Sequence, residues 1–251
     1  MLEVERLTRR FGGLIAVSDV SFEVPDRQVT ALIGPNGAGK TTLFNTISGV
    51  LSPNEGRVRF NGTDITGWPA HKITKLGLGR TFQNVQLFRN LNALENVAVA
   101  RYCRSTSGLV DALLWRKRDR AERSEMLARA EELLESVGLG DKRLLMPGEL
   151  PYGDQRRLEI ARALATEPTL LILDEPTAGM VAREAEDVVA LMRRLCASGL
   201  TQLLIEHNMN VVMSVSDKVV VLNFGKKIAE GTPVEIEQNP DVIEAYLGRD
   251  E

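Results

Sequence analysis

The stretch Gly34-Pro35-Asn36-Gly37-Ala38-Gly39-Lys40-Thr41 decides the fold that this sequence predicts. The apolar run 29–33 before it has the composition of a short strand, and residues 41–48 after it carry apolar side chains at helical spacing. The stretch itself fits the pattern G-x-x-x-x-G-K-[ST], in which a glycine-rich loop joins a strand to a helix. We therefore predict a strand, a phosphate-binding loop and a helix in this order.

The residue types in this loop suit the phosphates of a nucleotide. Glycines allow backbone N–H groups to turn inward on phosphate oxygens, and the following helix presents the positive end of its dipole. We expect Lys40 to reach the β- and γ-phosphates, Thr41 to bind Mg²⁺ through its hydroxyl, and Thr42 to donate to the α-phosphate. A glycine-rich turn without a ligand is the alternative interpretation. The predicted contacts to ATP or ADP from this stretch are Gly34, Asn36, Gly37, Ala38, Gly39, Lys40, Thr41 and Thr42.

A pair of acidic residues follows a second apolar run. The run Leu170-Leu171-Ile172-Leu173 is continuous, as in a parallel strand buried on both faces, and Asp174 and Glu175 come directly after it. Ligand sites in open α/β sheets lie at this end of the strands. We predict that Asp174 holds Mg²⁺ through its hydration shell and that Glu175 polarises the water that attacks the γ-phosphate. A solvated turn ahead of a helix is the alternative for this pair.

The remaining pattern predicts the fold class. Residues 14–24 alternate like a half-buried strand, and residues 57–60 followed by Asn61-Gly62 indicate a hairpin, so an antiparallel sheet is expected beside the core. Residues 91–137 have helical spacing. The later strand candidates are 169–173, 202–206 and 218–223, with helices around 183–196, 209–215 and 241–247. We predict an α/β fold with a P-loop core on a mainly parallel sheet, a flanking antiparallel β subdomain and an α-helical subdomain.

Composition narrows the class of protein. The 251 residues fit one domain with a modest subdomain. Lys and Arg total 31 against 34 Asp and Glu, a formal net charge of −3, which argues against nucleic acid as a partner. The chain starts without the basic and apolar regions of a signal peptide and has no stretch of about 18 apolar residues, so we expect a cytoplasmic protein. The spacing of Cys103 and Cys196 predicts neither a disulfide nor a zinc site.

Further residues, in their order and approximate spacing, make the whole chain resemble the ABC transporter ATPase family. Gln83 is similar to the family's Q-loop glutamine, which implies contact with Mg²⁺ or the attacking water. His207 is similar to the switch histidine, which implies that it holds the γ-phosphate and orients the water relative to Glu175. Phe11 matches the aromatic residue that stacks on adenine. Without this resemblance, each of these residues has an alternative interpretation: Gln83 as an ordinary loop amide, His207 as a structural histidine and Phe11 as a core residue.

The segment 150–157 stands at the position of the family's signature motif. The resemblance implies that three of its residues, at the start of a helix, face the ATP of a partner subunit: Leu150, Gly153 and Gln155. The sequence departs from the motif at Pro151 and Asp154, which stand in place of a serine and a glutamine. A phosphate donor is lost and a carboxylate is added at a helix N-terminus, so we expect this face to bind the partner's triphosphate more weakly.

The resemblance also implies a layout for the chain. By this resemblance, residues 1–251 form a single ABC ATPase domain. Its nucleotide-binding core and β subdomain comprise residues 1–90 and 165–251. The helical subdomain, including the signature motif, spans 91–164. The segment 176–180 lacks the Asp that many relatives carry there, which puts one contact between the two ATP sites in doubt.

Residues 79–84 and the ending 231–248 are similar to those of the branched-chain amino-acid importer ATPases, in particular their G-type subunit. That likeness implies a second ABC ATPase subunit, in a homodimer or heterodimer, and two membrane-spanning permease subunits. It also implies an external solute-binding protein, contacted indirectly, and a position on the inner face of the cell membrane.

Other functions remain open at this point. Urea importers and lipopolysaccharide exporters use similar ATPases. A soluble ABC ATPase of DNA repair or translation is the alternative from another class, although such proteins usually carry long insertions or two cassettes. An ATP-binding module without meaningful hydrolysis is a third, and the presence of Lys40, Asp174, Glu175 and His207 argues against it.

Overall fold

The computed structural model describes residues 1–82, 86–104 and 117–247. Within these ranges the strands are β1 Leu2–Phe11, β2 Leu14–Val24, β3 Val29–Ile33, β4 Glu55–Phe60, β5 Thr63–Asp64, β6 Leu78–Arg80, β7 Leu170–Asp174, β8 Thr201–Ile205, β9 Lys218–Asn223 and β10 Lys226–Gly231. The helices are α1 Lys40–Ile47, α2 Ala70–Leu76, α3 Ala93–Ala100, α4 Lys117–Ser136, α5 Tyr152–Leu164, α6 Ala182–Ala197, α7 Met209–Val215, α8 Pro233–Glu237 and α9 Pro240–Leu247.

The larger sheet confirms the predicted parallel core. Its strand order is β10-β9-β3-β8-β7-β6, and every neighbouring pair is parallel except β10 with β9. Parallel strands end at the same edge of a sheet, so the residues that follow β3, β7 and β8 emerge side by side. The strands β6 and β10 were not predicted from the sequence.

The smaller sheet is the predicted antiparallel one. Its strand order is β2-β1-β4-β5, and β2 has the predicted bounds. The predicted hairpin joins β4 to β5 through Asn61 and Gly62, whose φ angles of 50° and 76° both lie in the left-handed region. A two-residue turn with this conformation matches the twist of the flanking strands, which is why Asn-Gly is a strong hairpin signal.

Successive residues of β7 pack into two different cores. Leu170 and Ile172 face the core shared with α1 and the antiparallel sheet, while Leu171 and Leu173 face the core built from α3 to α7. All four side chains are fully buried. Burial on both faces explains why this strand is apolar at consecutive positions instead of alternating.

The helical stretch predicted for 91–137 contains α3 and α4 among its described residues. Ala130, Leu134 and Val137, which follow the helical spacing of this stretch, are buried in the core that faces β7. The helix α3 begins with a capping box in which the Asn92 side chain and the Glu95 side chain each accept a backbone N–H of the other residue. No helix in the described ranges has both the length and the apolar composition needed to cross a bilayer.

Candidate functional site

The glycine-rich loop after β3 has two positions that only glycine can occupy. At Gly34, with φ 148°, an added Cβ would lie 2.1 Å from the carbonyl oxygen of Leu222. At Gly39, with φ 97°, it would lie 2.3 Å from the carbonyl oxygen of Ala16. The two glycines therefore let the loop pack directly on the backbones of β9 and β2, which holds the start of α1 in place.

The side chain of Lys40 folds back onto the first two residues of this loop. Its Nζ donates hydrogen bonds to the carbonyl oxygens of Gly34 at 2.6 Å and Pro35 at 2.9 Å. Burial lowers the pKa of Lys40, and the negative charge of Glu175 opposes this effect. A bound anion would offset the cost of burying this ammonium, so the charge suits the phosphate that the sequence predicts.

The N-terminus of α1 is open to an anion. Its N-cap residue, Gly39, provides no capping side chain, and its first turn contains no acidic residue. The first N–H groups of a helix have no partner within the helix, and the helix dipole makes that end positive. The exposed Thr41 and half-buried Thr42 lie in this first turn. The loop and the start of α1, which we name the cradle, therefore have the polarity expected of the predicted phosphate site.

A cavity of about 490 Å³ lies over the cradle. Residues 36–42 line it together with Phe11 and Glu175, which brings most of the predicted site residues to one place. It is also lined by five residues that had no predicted role in the site: Leu14, Ile15, Ala16, Phe224 and Gly225. The backbone explains their presence, because Gly225 donates its N–H to the carbonyl of Ala38 and accepts a hydrogen bond from the N–H of Ser18.

Phe11 ends β1 at the rim of this cavity. Its side chain is 43% exposed, which is unusual for a core phenylalanine. The guanidinium carbon of Arg9 lies 4.7 Å from the ring centroid, so one face of the ring is covered. A planar base can stack on an exposed aromatic ring through its π-face alone.

Asp174 is the last residue of β7 and is almost fully buried. Its Oδ2 lies 3.2 Å from Nη2 of Arg80, and its backbone N–H donates to the hydroxyl of Thr81. Burial raises the pKa of Asp174, and Arg80 opposes this shift. No role of Arg80 was predicted from the sequence, because its partner lies far away in the chain.

The donor set suits magnesium better than a metal held by a protein cage. Thr41 offers a hydroxyl and Asp174 a carboxylate, which are hard oxygen ligands. The described residues contain no group of three or more His, Cys, Asp or Glu side chains that could hold a metal ion. Few protein ligands are expected where phosphate and water supply the remaining ones.

Glu175 and His207 follow the neighbouring strands β7 and β8 and meet at the edge of the sheet. Oε1 of Glu175 lies 3.8 Å from Nδ1 of His207, whose side chain is 58% exposed. Glu175 has a φ of 47°, a left-handed conformation that costs a residue other than glycine about 1–3 kcal/mol. Its N–H donates to the carbonyl of Ile205, so the neighbouring strand helps to hold this conformation. The structure therefore brings the predicted base and the predicted switch histidine together.

Gln83, the predicted Q-loop residue, lies outside the described residues. The residue before it, Phe82, is hydrogen-bonded to helix α5 through both its backbone N–H and its backbone carbonyl. Its N–H donates to Oε1 of Glu159, and its carbonyl accepts from Nη1 of Arg156. Arg156 and Glu159 form a buried ion pair at 3.1 Å, and burial raises the pKa of Glu159. The described end of this loop is thus fixed to the helix that begins at the signature segment.

The signature segment lies at the start of α5. Three described residues of this segment, Leu150, Gly153 and Gln155, are not among those lining the 490 Å³ cavity. The side-chain amide of Gln155 donates to the carbonyl of Leu150 at 2.9 Å, and Gly153 is packed against Glu184. The structure therefore does not bring these three residues to the phosphate cradle of their own chain.

The environment of Asp154 differs from the one assumed in the sequence analysis. Its side chain is only 5% exposed, and its carboxylate is paired with Lys142 at 2.6 Å and with Arg157. Two cations compensate this charge, so Asp154 is not the unpaired carboxylate on which the expected repulsion of a triphosphate rested. The sequence could not reveal this pairing, because Lys142 lies outside the helix. Pro151, the N-cap residue of α5, makes no capping hydrogen bond through its side chain.

Cavity volume alone does not identify the site. A larger cavity of about 700 Å³ lies near the starts of β7 and β8, at the opposite edge of the sheet from Glu175 and His207. It is lined by parts of α4 and of the loops that precede these strands. None of the described residues with a predicted role lines it.

Comparison with known proteins points to one family. The ABC transporter family matches residues 17–178, and the family described as branched-chain amino acid ATP-binding cassette transporter matches residues 226–251. The chain is 47% identical over 249 residues to the high-affinity branched-chain amino acid transport ATP-binding protein BraF of Pseudomonas aeruginosa, covering 99% of this chain and 98% of BraF. It is 44% identical to LivG of Escherichia coli, a protein of the same description, with the same coverage.

Two solved structures are similar over nearly the whole chain. A nucleotide-free ATP-binding cassette from an ABC transporter has a TM-score of 0.87 and 34% identity, covering 99% of both chains. The dimeric post-hydrolysis state of the cassette MJ0796, bound to ADP and Pi, has a TM-score of 0.78 and 25% identity, covering 93% of this chain and 99% of that one.

Proposed function

This chain belongs to the ABC transporter family of ATP-binding cassettes, and from that membership we propose that it powers the import of branched-chain or related amino acids. It is a nucleotide-binding ATPase subunit. The observation that carries the proposal is that Glu175 lines the same cavity as Lys40 and lies 3.8 Å from His207. The identity to branched-chain transport ATP-binding proteins supports the class of solute.

The phosphates of ATP are held by the backbone between Gly34 and Thr42. Lys40 exchanges one of its two carbonyl partners for the β- and γ-phosphate oxygens, which relieves the cost of its burial. The uncapped start of α1 adds N–H donors and the positive end of its dipole. The adenine base stacks on the face of Phe11 that Arg9 does not cover.

Magnesium would be held by the hydroxyl of Thr41 and by Asp174, with Gln83 as the further ligand that the family likeness implies. Bound there, Mg²⁺ would neutralise charge on the β- and γ-phosphate oxygens. Arg80 keeps the carboxylate of Asp174 in one orientation at the end of β7. The role of this chain is to fix the oxygen ligands before the nucleotide arrives.

Hydrolysis uses the pair at the ends of β7 and β8. Glu175 accepts a proton from water as the water oxygen attacks the γ-phosphorus, and the bond from that phosphorus to the oxygen of ADP breaks. His207 holds the γ-phosphate so that the attack is in line. The two side chains lie 3.8 Å apart, which is close enough for both to contact one phosphate group. Most of the rate enhancement comes from this positioning and from charge stabilisation.

A second ATPase subunit completes each site. Leu150, Gly153 and Gln155 face the ATP of that subunit, which is consistent with their absence from the cavity of their own chain. The dimer of MJ0796 bound to ADP and Pi supports such an arrangement. Residues 91–164 act as the helical subdomain, which passes closure of the dimer to two membrane-spanning permease subunits on the inner face of the membrane. An external binding protein delivers the solute to those permeases.

The test uses the chain purified together with the products of its neighbouring genes and reconstituted in liposomes. ATPase activity should require Mg²⁺ and should increase when leucine and the external binding protein are added. Glu175→Gln should abolish turnover while ATP binding is retained, and the matched control Glu237→Gln, at an exposed position on α8, should behave like the parent. Stimulation by urea without stimulation by leucine would contradict the proposed solute, and absence of Mg-dependent ATP binding would contradict the nucleotide site.

A further inference from the structure

Glu206 is a fully buried carboxylate beside the proposed catalytic pair. It follows β8 directly, stands between Ile205 and His207, and has no role in the binding or hydrolysis described above. Burial of a carboxylate is costly unless hydrogen-bond donors surround it. The contacts of this side chain therefore indicate what it does.

The two carboxylate oxygens of Glu206 accept hydrogen bonds from two different loops, one loop for each oxygen. Oε1 accepts from the hydroxyl of Thr177 and from its backbone N–H, the latter at 3.3 Å. Oε2 accepts from the backbone N–H groups of His207 at 2.9 Å and Asn208 at 3.2 Å. One side chain thus bridges the loop after β7 and the loop after β8.

The first of these loops contains Glu175. Its N–H is held by the carbonyl of Ile205, and Thr177, two residues later, is held by Glu206. Glu175 adopts its left-handed backbone conformation between these two attachments. A strained conformation persists only where the surrounding structure holds it, and here both attachments come from the end of β8.

The second loop contains His207. Its backbone is held by Oε2 of Glu206, and its Nδ1 lies 3.8 Å from that oxygen and 3.8 Å from Oε1 of Glu175. The same carboxylate therefore fixes the backbones that carry the two side chains. A shift of either loop would change the distance between Glu175 and His207.

We propose that Glu206 is a positioning residue for ATP hydrolysis, which sets Glu175 and His207 relative to each other through its bonds to Thr177 and to the His207 backbone. This inference rests on the proposed function, because it assigns Glu206 to the hydrolytic step of that site. Glu206 does not touch the phosphate cradle, so its effect belongs to turnover and not to ATP affinity.

The first experiment replaces Glu206 with glutamine in the reconstituted transporter. The amide has the same shape but keeps one acceptor oxygen, and its nitrogen faces N–H groups that it cannot accept from. We expect kcat to fall by roughly 10- to 100-fold, as for displaced catalytic groups. KM and the Kd for ATP should stay within about threefold of the parent, since no cradle contact changes. The same change at the exposed Glu237 is the matched control.

A second pair of variants keeps the test valid if Glu206→Gln folds poorly. Thr177→Val removes the hydroxyl at nearly constant volume, and Thr177→Ser retains it. We expect the serine variant to exceed the valine variant in kcat by about threefold or more, with equal Kd for ATP. Thr177→Val should lower kcat by a smaller factor in the Glu206→Gln background than in the parent, because the two side chains act through one contact.

The outcomes separate this inference from the function it rests on. Parental kcat in Glu206→Gln, in a transporter whose Glu175→Gln variant is inactive, overturns the inference and leaves the proposed function standing. A parallel loss of ATP affinity and turnover in both Glu206→Gln and Thr177→Val also overturns it, because that pattern indicates general loss of structure. A parent protein without turnover overturns the proposed function and the inference together.

Discussion

The Nη2 atom of Arg80 lies 3.2 Å from Oδ2 of Asp174, although 94 positions separate them in the sequence. The same guanidinium donates through Nη1 to the side-chain oxygen of Asn45 at 2.8 Å and to the hydroxyl of Ser48 at 2.6 Å. Asn45 belongs to α1 and Ser48 ends it, so Arg80 connects the helix of the phosphate loop to the strand that carries Asp174. The two halves of the proposed magnesium site are therefore held together by one buried side chain.

Removal of this guanidinium should destabilise the fold. Arg80→Met leaves the Asp174 carboxylate buried without its cation, and breaking a buried pair in this way costs about 3–5 kcal/mol. Denaturant unfolding of the nucleotide-free chain measures the change. Arg59→Met is the matched control, because Arg59 pairs with Glu5 on the surface and such pairs contribute about 0–1 kcal/mol. Equal losses in the two variants would show that Arg80 has no special structural role.

The proposed stacking of adenine on Phe11 predicts a loss of affinity that depends on the base. Phe11→Ala should weaken ATP binding by about 1–3 kcal/mol, the contribution of stacking between a base and an aromatic ring. Phe11→Tyr should retain binding, since the π-face remains. Fluorescence titration with ATP measures the change, and inorganic triphosphate is the control because it has phosphates and no base. Equal weakening of both ligands would contradict the stacking.

The pairing of Asp154 predicts that removal of its charge lowers the stability of the fold. Asp154→Asn leaves Lys142 and Arg157 without their shared carboxylate, so the free energy of unfolding should fall by about 1–3 kcal/mol. Glu131→Gln, which removes an exposed partner of Arg143, is the matched control and should change stability by less than about 1 kcal/mol. Higher ATPase activity of Asp154→Asn in the assembled transporter would contradict this prediction. It would instead support the repulsion between Asp154 and the triphosphate that the sequence suggested.

The hairpin of β9 and β10 should respond to pH through Glu230. Burial raises the pKa of Glu230, but hydrogen bonds and charge from Lys218 and Lys227 outweigh it, so the pKa lies below its ordinary value. A carboxyl whose folded-state pKa is lowered stabilises the fold above the unfolded pKa and loses this contribution as the pH falls through the folded pKa. Glu230→Gln should therefore reduce stability by about 0.5–1 kcal/mol at pH 7.

Thermal unfolding of the parent and of Glu230→Gln at several pH values measures this effect. The difference between the two proteins should shrink as the pH falls below the ordinary pKa of a glutamic acid and should disappear in strong acid. A difference that stays constant across this range would show that the ion pairs of Glu230 do not stabilise the hairpin.

Local pattern was sufficient for much of the site. The phosphate loop between β3 and α1, the acid pair after β7 and the hairpin at Asn61 and Gly62 all depend on residues that are adjacent in the chain. Their conformations follow from glycine freedom, helix polarity and apolar periodicity, which act over a few residues. The mainly parallel sheet followed from the alternation of such segments, and it was confirmed.

The sequence by itself therefore determined which chemical groups this protein has and at which end of which strand each one stands. Only the tertiary structure decided what surrounds them: Arg80 on Asp174, Glu206 between Thr177 and His207, and two cations on Asp154. Most of these contacts join segments that are distant in the sequence, and their geometry depends on how helices and strands pack. Burial then sets the electrostatic balance of each group, because a charge removed from water is stabilised only by the partners that packing brings to it.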